Sequence, residues 1–574
     1  MEVDAEFEAR RVLARGAYLE SVTFLPGLTA TQTRSTPGRF GAVVIGAGHN
    51  GLVCAAYLAK AGISVLVVEA RSSIGGCAST ETAFGGALVN ICNCDHAMIR
   101  TTPIAEELDL ARHGLQYLDV EPSYLFQSWV GGPAWFLFND VERTIESLGY
   151  SYPSEVENYR RYLRKALPVA RMITDIGQGM PTPGSVSSKV LRSPVVASKA
   201  VPTLLQWTRR SVGDVVRSFF DTEQLRGPVV SAGPSVWGVG PDAPGSGLGA
   251  IGYALRHVSQ LGRPVGGSGA LTDAIGASLR AEGGSIRLST RVTGIACEGT
   301  TTRGVWVQPT NDPGDARDEF IEAPIVVVAT DPRKALVEWL RDPPSAAHAL
   351  INRYRTAPVY DGYESKVDAV LTESYRANGV DDAMLARLGI SVAVSGQPTM
   401  MVSKSLADLA ADHALLQNGR IADRPQFFIQ RPSALDPLVS AAIAGAERHE
   451  VFSLEILWTP YELAGGWART DEPTRWLRKV SELVTTESGR PFDETVDQWR
   501  LMGPLEYETQ FSMHRGHAPS FSGTPITALL GRNPEQTRYE TPVKGLFLTG
   551  AATFPGAGVW GAPGRNAATA ILGS

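Results

Sequence analysis

The stretch AVVIGAGHNGLVCAAYLAKAGISVLVVEA, Ala42 to Ala70, constrains the fold more than any other part of this 574-residue chain. An apolar run, Ala42–Ile45, leads to Gly46, Gly48 and Gly51. A helical stretch with small residues follows, then a second apolar run that ends at Glu69. That order predicts a strand, a glycine turn, a helix and a parallel strand. Gly46 permits the tight turn, and Gly48 lets backbone approach a pyrophosphate. Gly51, with Ala55 one turn later, lets the helix pack closely on the sheet. The helix N-terminus offers unpaired N–H groups and the positive end of its dipole to phosphates. Glu69 lies 18 residues after Gly51, where a carboxylate can take both ribose hydroxyls. A carboxylate there repels a 2′-phosphate, so NADP is disfavoured. The unit by itself does not separate NAD from FAD.

The same glycine spacing occurs twice more. Gly247, Gly249 and Gly252 follow a turn-rich stretch with no strand, which predicts coincidence. Gly556, Gly558 and Gly561 stand near the end of the chain, where too few residues remain for a second dinucleotide unit.

Beyond Glu69 the run EARSSIGGCAST carries Arg71 and the pair Gly75-Gly76. This resembles the extended signature of the FAD enzymes of the phytoene desaturase and amine oxidase superfamily. The resemblance implies that Arg71, Gly75 and Gly76 line FAD. The block Arg263–Ile295 is similar to the central block of the desaturases, and it implies a strand end at Val292 against the adenine. The last block, Tyr539–Ile571, is the most specific match. It implies a further strand of the FAD sheet at Gly545–Thr549, with a turn at Gly550-Ala551-Ala552 beneath the phosphates. A glycine loop through Gly558, Val559 and Trp560 then passes the flavin ring, and a helix starting near Asn566 points its N–H groups at the flavin. The terminal glycine motif is thereby the other half of the first site. Ala551 stands where many relatives have aspartate, as in the desaturase branch of phytoene-dehydrogenase-like proteins. That branch includes the group of pyridine nucleotide-disulfide oxidoreductase domain-containing protein 2.

The implied fold is α/β: a Rossmann-like, glutathione-reductase-like FAD-binding domain with an inserted α+β substrate-binding lobe. The expected division is an N-terminal arm over 1–38, FAD-binding parts over 39–117, 253–336 and 507–574, and lobe parts over 118–252 and 337–506. Most of the eleven tryptophans fall in the lobe. Such richness suits an apolar substrate tunnel, although core packing explains any single ring as well.

A net charge of −6 argues against a nucleic-acid partner. Five cysteines, odd in number, suit a reducing compartment. The N-terminus is acidic, with no signal-like apolar segment, and no transmembrane helix is predicted; a cytoplasmic protein is expected. Between Asp175 and Asp214 there is no acidic residue, while Lys189, Arg192, Lys199, Arg209 and Arg210 accompany apolar neighbours. Such a stretch can lie on an anionic bilayer, which makes peripheral membrane contact a candidate.

The function so implied is FAD-dependent hydride removal from an organic, apolar small-molecule substrate. Electrons then pass to dioxygen, a quinone or another acceptor. A flavin amine or amino-acid oxidase and a non-catalytic flavoprotein acting as an interaction partner are the alternatives. Candidate bases are His517, on the approach to the flavin, and His96, after the strand that follows Gly75-Gly76; both titrate near neutrality. Arg515 is a candidate for a substrate carboxylate or an ordinary salt bridge. No metal site is expected.

Overall fold

The computed structural model describes residues 38–311, 318–359, 364–436, 438–439, 449–518, 520–521 and 525–573. The N-terminal arm therefore lies almost wholly outside the described residues.

Strand Ala42–Ile45, helix His49–Lys60 and strand Val65–Val68 form as the sequence predicts. They are the centre of a five-stranded, all-parallel sheet. Its order is Leu546–Leu548, Ile325–Val328, Ala42–Ile45, Val65–Val68, Ser285–Arg287. A parallel sheet must be covered on both faces, and alternate side chains of one strand show how. Ala42 and Val44 face helices His49–Lys60, Gly269–Ala281 and Ala562–Gly573. Val43 and Ile45 face a four-stranded layer containing Thr290–Glu298 and Thr301–Pro309.

The lobe is built on a seven-stranded sheet. Its order is Val496–Met502, Glu364–Leu371, Glu450–Leu457, Phe427–Gln430, Thr399–Ser403, Tyr124–Ser128, Trp135–Leu137. All neighbours are antiparallel except Thr399–Ser403 with Tyr124–Ser128. One face is largely apolar, with Val367, Ala369, Phe452, Leu454, Ile429 and Val402 in one cluster. The opposite face is divided. Towards Trp135 it joins an aromatic core with Tyr159, Tyr162, Trp207 and Tyr253. Towards Val496 it carries Glu364, Lys366, Asp368, Ser453 and Glu455, all buried.

Three sequence expectations need correction. The segment after residue 336 stays with the FAD-side layer: Leu340–Arg341 pairs with Ile295–Ala296, and Leu350 and Ile351 enter the same core. Residues after 252 stay with the lobe, since Tyr253, Ala254 and Leu261 pack in the aromatic core. Trp135, Trp207 and Trp476 are fully buried packing residues, so they line no tunnel.

Candidate cofactor and active site

Gly46 takes φ +101°, and its N–H donates to Val68 O at 2.9 Å. A Cβ at Gly51 would lie 2.2 Å from Gly46 O and 2.9 Å from Ala329 Cβ, so only glycine admits this approach. Beside Gly48 the space is open, with nothing within 4 Å of a Cβ position. On its flank Gly48 bridges to Gly75, and a Cβ at Gly76 would lie 3.2 Å from Gly48 Cα. The result is a backbone cradle at the start of helix His49–Lys60. Glu69 closes one end: its carboxylate accepts from Ala47 N–H at 2.7 Å and Arg71 N–H at 2.9 Å. Each oxygen keeps a lone pair for a ribose hydroxyl.

The C-terminal glycine loop meets this cradle. Gly550 has φ +99°, and its carbonyl accepts from Thr553 N–H and hydroxyl at 3.0 and 2.9 Å. Ala551 O accepts from Phe521 N–H at 2.9 Å. Val559 O accepts from Ile99 N–H at 2.9 Å, and the Trp560 ring rests against Gly177, 3.0 Å from its Cβ position. The last helix runs Ala562–Gly573 and so begins four residues before the expected Asn566. Gly561, at φ +68°, makes the turn, and Pro563 fits the first helical turn, where its missing N–H is no loss. Asn566 is buried within the helix and donates to Tyr539 Oη at 2.9 Å. Gly564 lets the last helix touch the first: a Cβ there would lie 2.1 Å from Asn50 O.

His49 was missed by sequence reasoning. Its Nε2 lies 3.2 Å from Gly558 O, joining the first glycine turn to the last glycine loop. Desolvation lowers its pKa to about 4 and keeps it neutral. A polar ring inside Gly-x-Gly-x-x-Gly, where an apolar residue would serve the helix, was the available signal.

Other predicted residues are placed as follows. Arg71 pairs with Glu81 at 2.5 Å and stacks over the Phe511 ring, 4.5 Å from its centroid. Val292 is the third residue of strand Thr290–Glu298 and not a strand end; its side chain is buried, just before a bulge. His96 is fully buried, with Nδ1 3.0 Å from Tyr117 Oη and Nε2 3.1 Å from Ser268 Oγ. Burial drives its pKa down to about 3. Both nitrogens are engaged and no atom reaches solvent, so the expectation of a base at His96 is corrected: it is a structural group. His517 is half-buried, with Nε2 3.5 Å from Trp237 O, at the seam between the last FAD block and the lobe. Arg515 makes an ion pair with Glu462 at 2.9 Å. Among the described residues no cluster of three metal-ligating side chains occurs, and no helix is long and apolar enough to cross a membrane.

A parallel sheet whose first and last glycine loops meet at one helix N-terminus, joined to a mixed-sheet lobe, defines a two-lobed FAD-dependent oxidoreductase. Residues 44–108 match the model of the NAD(P)-binding Rossmann-like domain. The chain is 26% identical over 571 residues to rat pyridine nucleotide-disulfide oxidoreductase domain-containing protein 2, covering 93% of each. A lycopene-forming phytoene desaturase from Paracoccus is 30% identical over 133 residues, 22% of this chain and 25% of that one. The solved structure of a putrescine oxidase bound to putrescine aligns with TM-score 0.57 and 16% identity, over 93% of this chain and 99% of that one. The chain thus resembles phytoene desaturases in part of its sequence and amine oxidases in its fold, and FAD is its cofactor.

Proposed function

We propose that this protein removes hydride from a carbon of a small organic substrate held between the lobe and the flavin, then passes the electrons to an external acceptor. The observation that carries the reading is the meeting of the two glycine loops at His49 and Gly564. It is what one cofactor spanning both motifs requires. FAD, when bound, supplies the hydride-accepting ring. The chain's own residues then have separate tasks. The cradle of Gly46, Gly48, Gly51, Gly75 and Gly76 and the carboxylate of Glu69 hold the nucleotide, with Arg71 bracing Glu81 at its rim. Gly550, Ala551, Gly558, Val559 and Trp560 shape the flavin end, and the backbone at Val292 closes the adenine end. His517 holds or takes a substrate proton at Nε2, a reading supported by its position at the seam and its partial exposure.

The test is anaerobic flavin reduction by the FAD-loaded protein against a metabolite panel. A base contributes about 10²- to 10⁴-fold, so His517→Ala should slow reduction by that order while FAD content stays unchanged. A rate within about threefold of wild type, well short of a base's effect, removes His517 from the chemistry. Failure of every substrate to bleach the flavin overturns the enzyme reading.

A further inference from the structure

The hairpin that follows the cradle brings two cysteines together. Strands Thr80–Ala83 and Ala87–Asn90 pair with Thr80 opposite Asn90, and Ile91 N–H donates to Ser79 O at 3.0 Å. Just before the hairpin the chain turns, with Ala78 N–H donating to Gly75 O at 3.1 Å. Cys77 sits in that turn, and its thiol is hydrogen-bonded with the thiol of Cys92, which follows the hairpin. Both are free thiols and both are partly exposed. Cys54 and Cys94 are buried, and Cys297 lies apart on strand Thr290–Glu298.

The pair stands where the cradle meets the lobe. Gly76, the neighbour of Cys77, flanks the cradle 3.2 Å from Gly48 Cα at its Cβ position, and its carbonyl accepts from Ser79 Oγ at 2.6 Å. Cys92 packs against the cluster of Ile91, Met502 and Tyr507, at the end of the lobe's edge strand Val496–Met502. The next two residues are held by the lobe sheet: Gln430 Nε2 donates to Asn93 Oδ1 at 2.8 Å, and Cys94 Sγ lies 3.5 Å from Gln430 Oε1. A bond between the two sulfurs would tie these parts to each other. The hydrogen bond with Cys77 first, then burial, raises the Cys92 thiol well above its ordinary range. Cys92 keeps its proton at neutral pH, which leaves Cys77 to meet an oxidant first.

We propose that Cys77 and Cys92 form a reversible dithiol–disulfide switch that hydrogen peroxide closes. The Cys77 sulfur attacks the O–O bond, leaving a sulfenic acid on Cys77 and releasing one water. The Cys92 sulfur attacks that sulfenic sulfur, its proton departs with the hydroxyl as a second water, and the S–S bond closes. Two thiols thereby give two electrons and two protons to one peroxide. A dithiol reductant reopens the bond by exchange. Thiols already in contact need little backbone movement to reach the ~2.05 Å bond of a disulfide. In a reducing compartment, a disulfide that forms is usually transient and redox-sensing. The closed form holds Gly76 against Gly48 and slows the release of FAD. Where dioxygen is the electron acceptor, hydrogen peroxide is its two-electron product, so the oxidant arises in the same protein that senses it.

The test treats the full-length, FAD-loaded protein with hydrogen peroxide and then with dithiothreitol. Two of the five thiols should disappear, with the loss of two hydrogens from the intact mass. A non-reducing digest should yield one peptide pair, linked through Cys77 and Cys92, and dithiothreitol should restore both thiols. Cys92→Ser should stop at a sulfenic acid on Cys77 that dimedone captures, and Cys77→Ser should leave Cys92 unreacted. FAD release on warming, followed by flavin fluorescence, should be roughly tenfold slower from oxidised than from reduced wild type, within what the constraint of a disulfide supplies. The wild-type arms need no variant to fold. The proposal is overturned if no Cys77–Cys92 peptide forms, if it forms only after unfolding, if Cys297 is oxidised as readily, or if FAD leaves both forms at the same rate.

Discussion

The two sheets are both buried, yet they are buried differently. Four strands of the parallel sheet, Ala42–Ile45, Val65–Val68, Ile325–Val328 and Leu546–Leu548, hold only apolar side chains. The lobe sheet has one face of the same kind and one on which strand Glu364–Leu371 hides a glutamate, a lysine and an aspartate. The parallel sheet is a scaffold whose loops do the binding, so its interior needs only shape. Part of the lobe sheet packs on the polar backbone and side chains of Asn90–Asp95, so that part of its interior is polar. Buried ions of this kind often gain no stability over well-packed apolar residues of similar volume, yet removing one partner is costly.

The largest expected effect breaks the scaffold. Gly51→Leu forces a side chain into Gly46 O and Ala329, and no backbone adjustment frees that space. Purified variant should carry less than roughly a tenth of the wild-type FAD or fail to fold, since overpacking of this kind exceeds the ~1–3 kcal/mol of ordinary core insertions. FAD at wild-type stoichiometry would refute the packing described.

Next comes the ionic face. Lys366→Met removes one of the two cations on the buried Asp368, leaving Arg500 and the Ser453 hydroxyl, and unfolding should show a loss of about 1.5–3 kcal/mol, that of a hydrogen bond to a charged group. Lys366→Met combined with Asp368→Leu should recover most of it, and a double variant no better than the single would show that the pair does more than neutralise itself.

A smaller effect separates the two regions by pH. His49 and His96, both at the scaffold end, have pKa values lowered to about 4 and about 3 by burial. The folded state resists their protonation, whereas the unfolded chain takes protons near 6.5. Their contribution is therefore complete above pH 6.5 and falls as pH drops towards 4. His96→Gln should flatten the acid limb of a stability–pH curve, read by denaturant midpoints from pH 7 to 4. An unchanged slope would refute it.

The smallest concerns the outer surface of the lobe. Helix Pro194–Trp207 buries Leu204 and Trp207 but exposes Val195 and Leu205. Lys189 and Arg210 are already committed, to Asp175 and to Asp214 O, while Lys199 and Arg209 are exposed. If this face meets anionic lipid, each exposed charge contributes ~1 kcal/mol, and Lys199→Glu with Arg209→Glu should abolish salt-sensitive co-sedimentation with phosphatidylserine vesicles. Equal binding by the double variant removes the idea.

The dinucleotide unit was legible because its signals are local. Gly46, Gly48, Gly51 and Glu69 lie within one strand–helix–strand, and backbone conformation alone dictates which of those positions must be glycine. The start of the last helix was misjudged because Asn566 reads as a cap, whereas Gly561 and Pro563 together supply the turn. His49 was overlooked because its partner, Gly558, is 509 residues away. The lobe tryptophans suggested a tunnel because composition does not say which way a ring points.

The sequence by itself determined the scaffold: an αβ dinucleotide unit, the cofactor class through its extended glycine signature, and a terminal glycine loop belonging to the same site. Tertiary structure alone decided the chemistry of the lobe. Glu364, Lys366 and Asp368 alternate along one strand, and all three are buried, with Asn90 O over Lys366 Nζ. Pairing Lys366 with Asp368 while leaving Glu455 Oε1 open is then a matter of which strands are neighbours. Sequence spacing carries no such information, because the desolvation that makes these groups matter is supplied by segments far away in the chain.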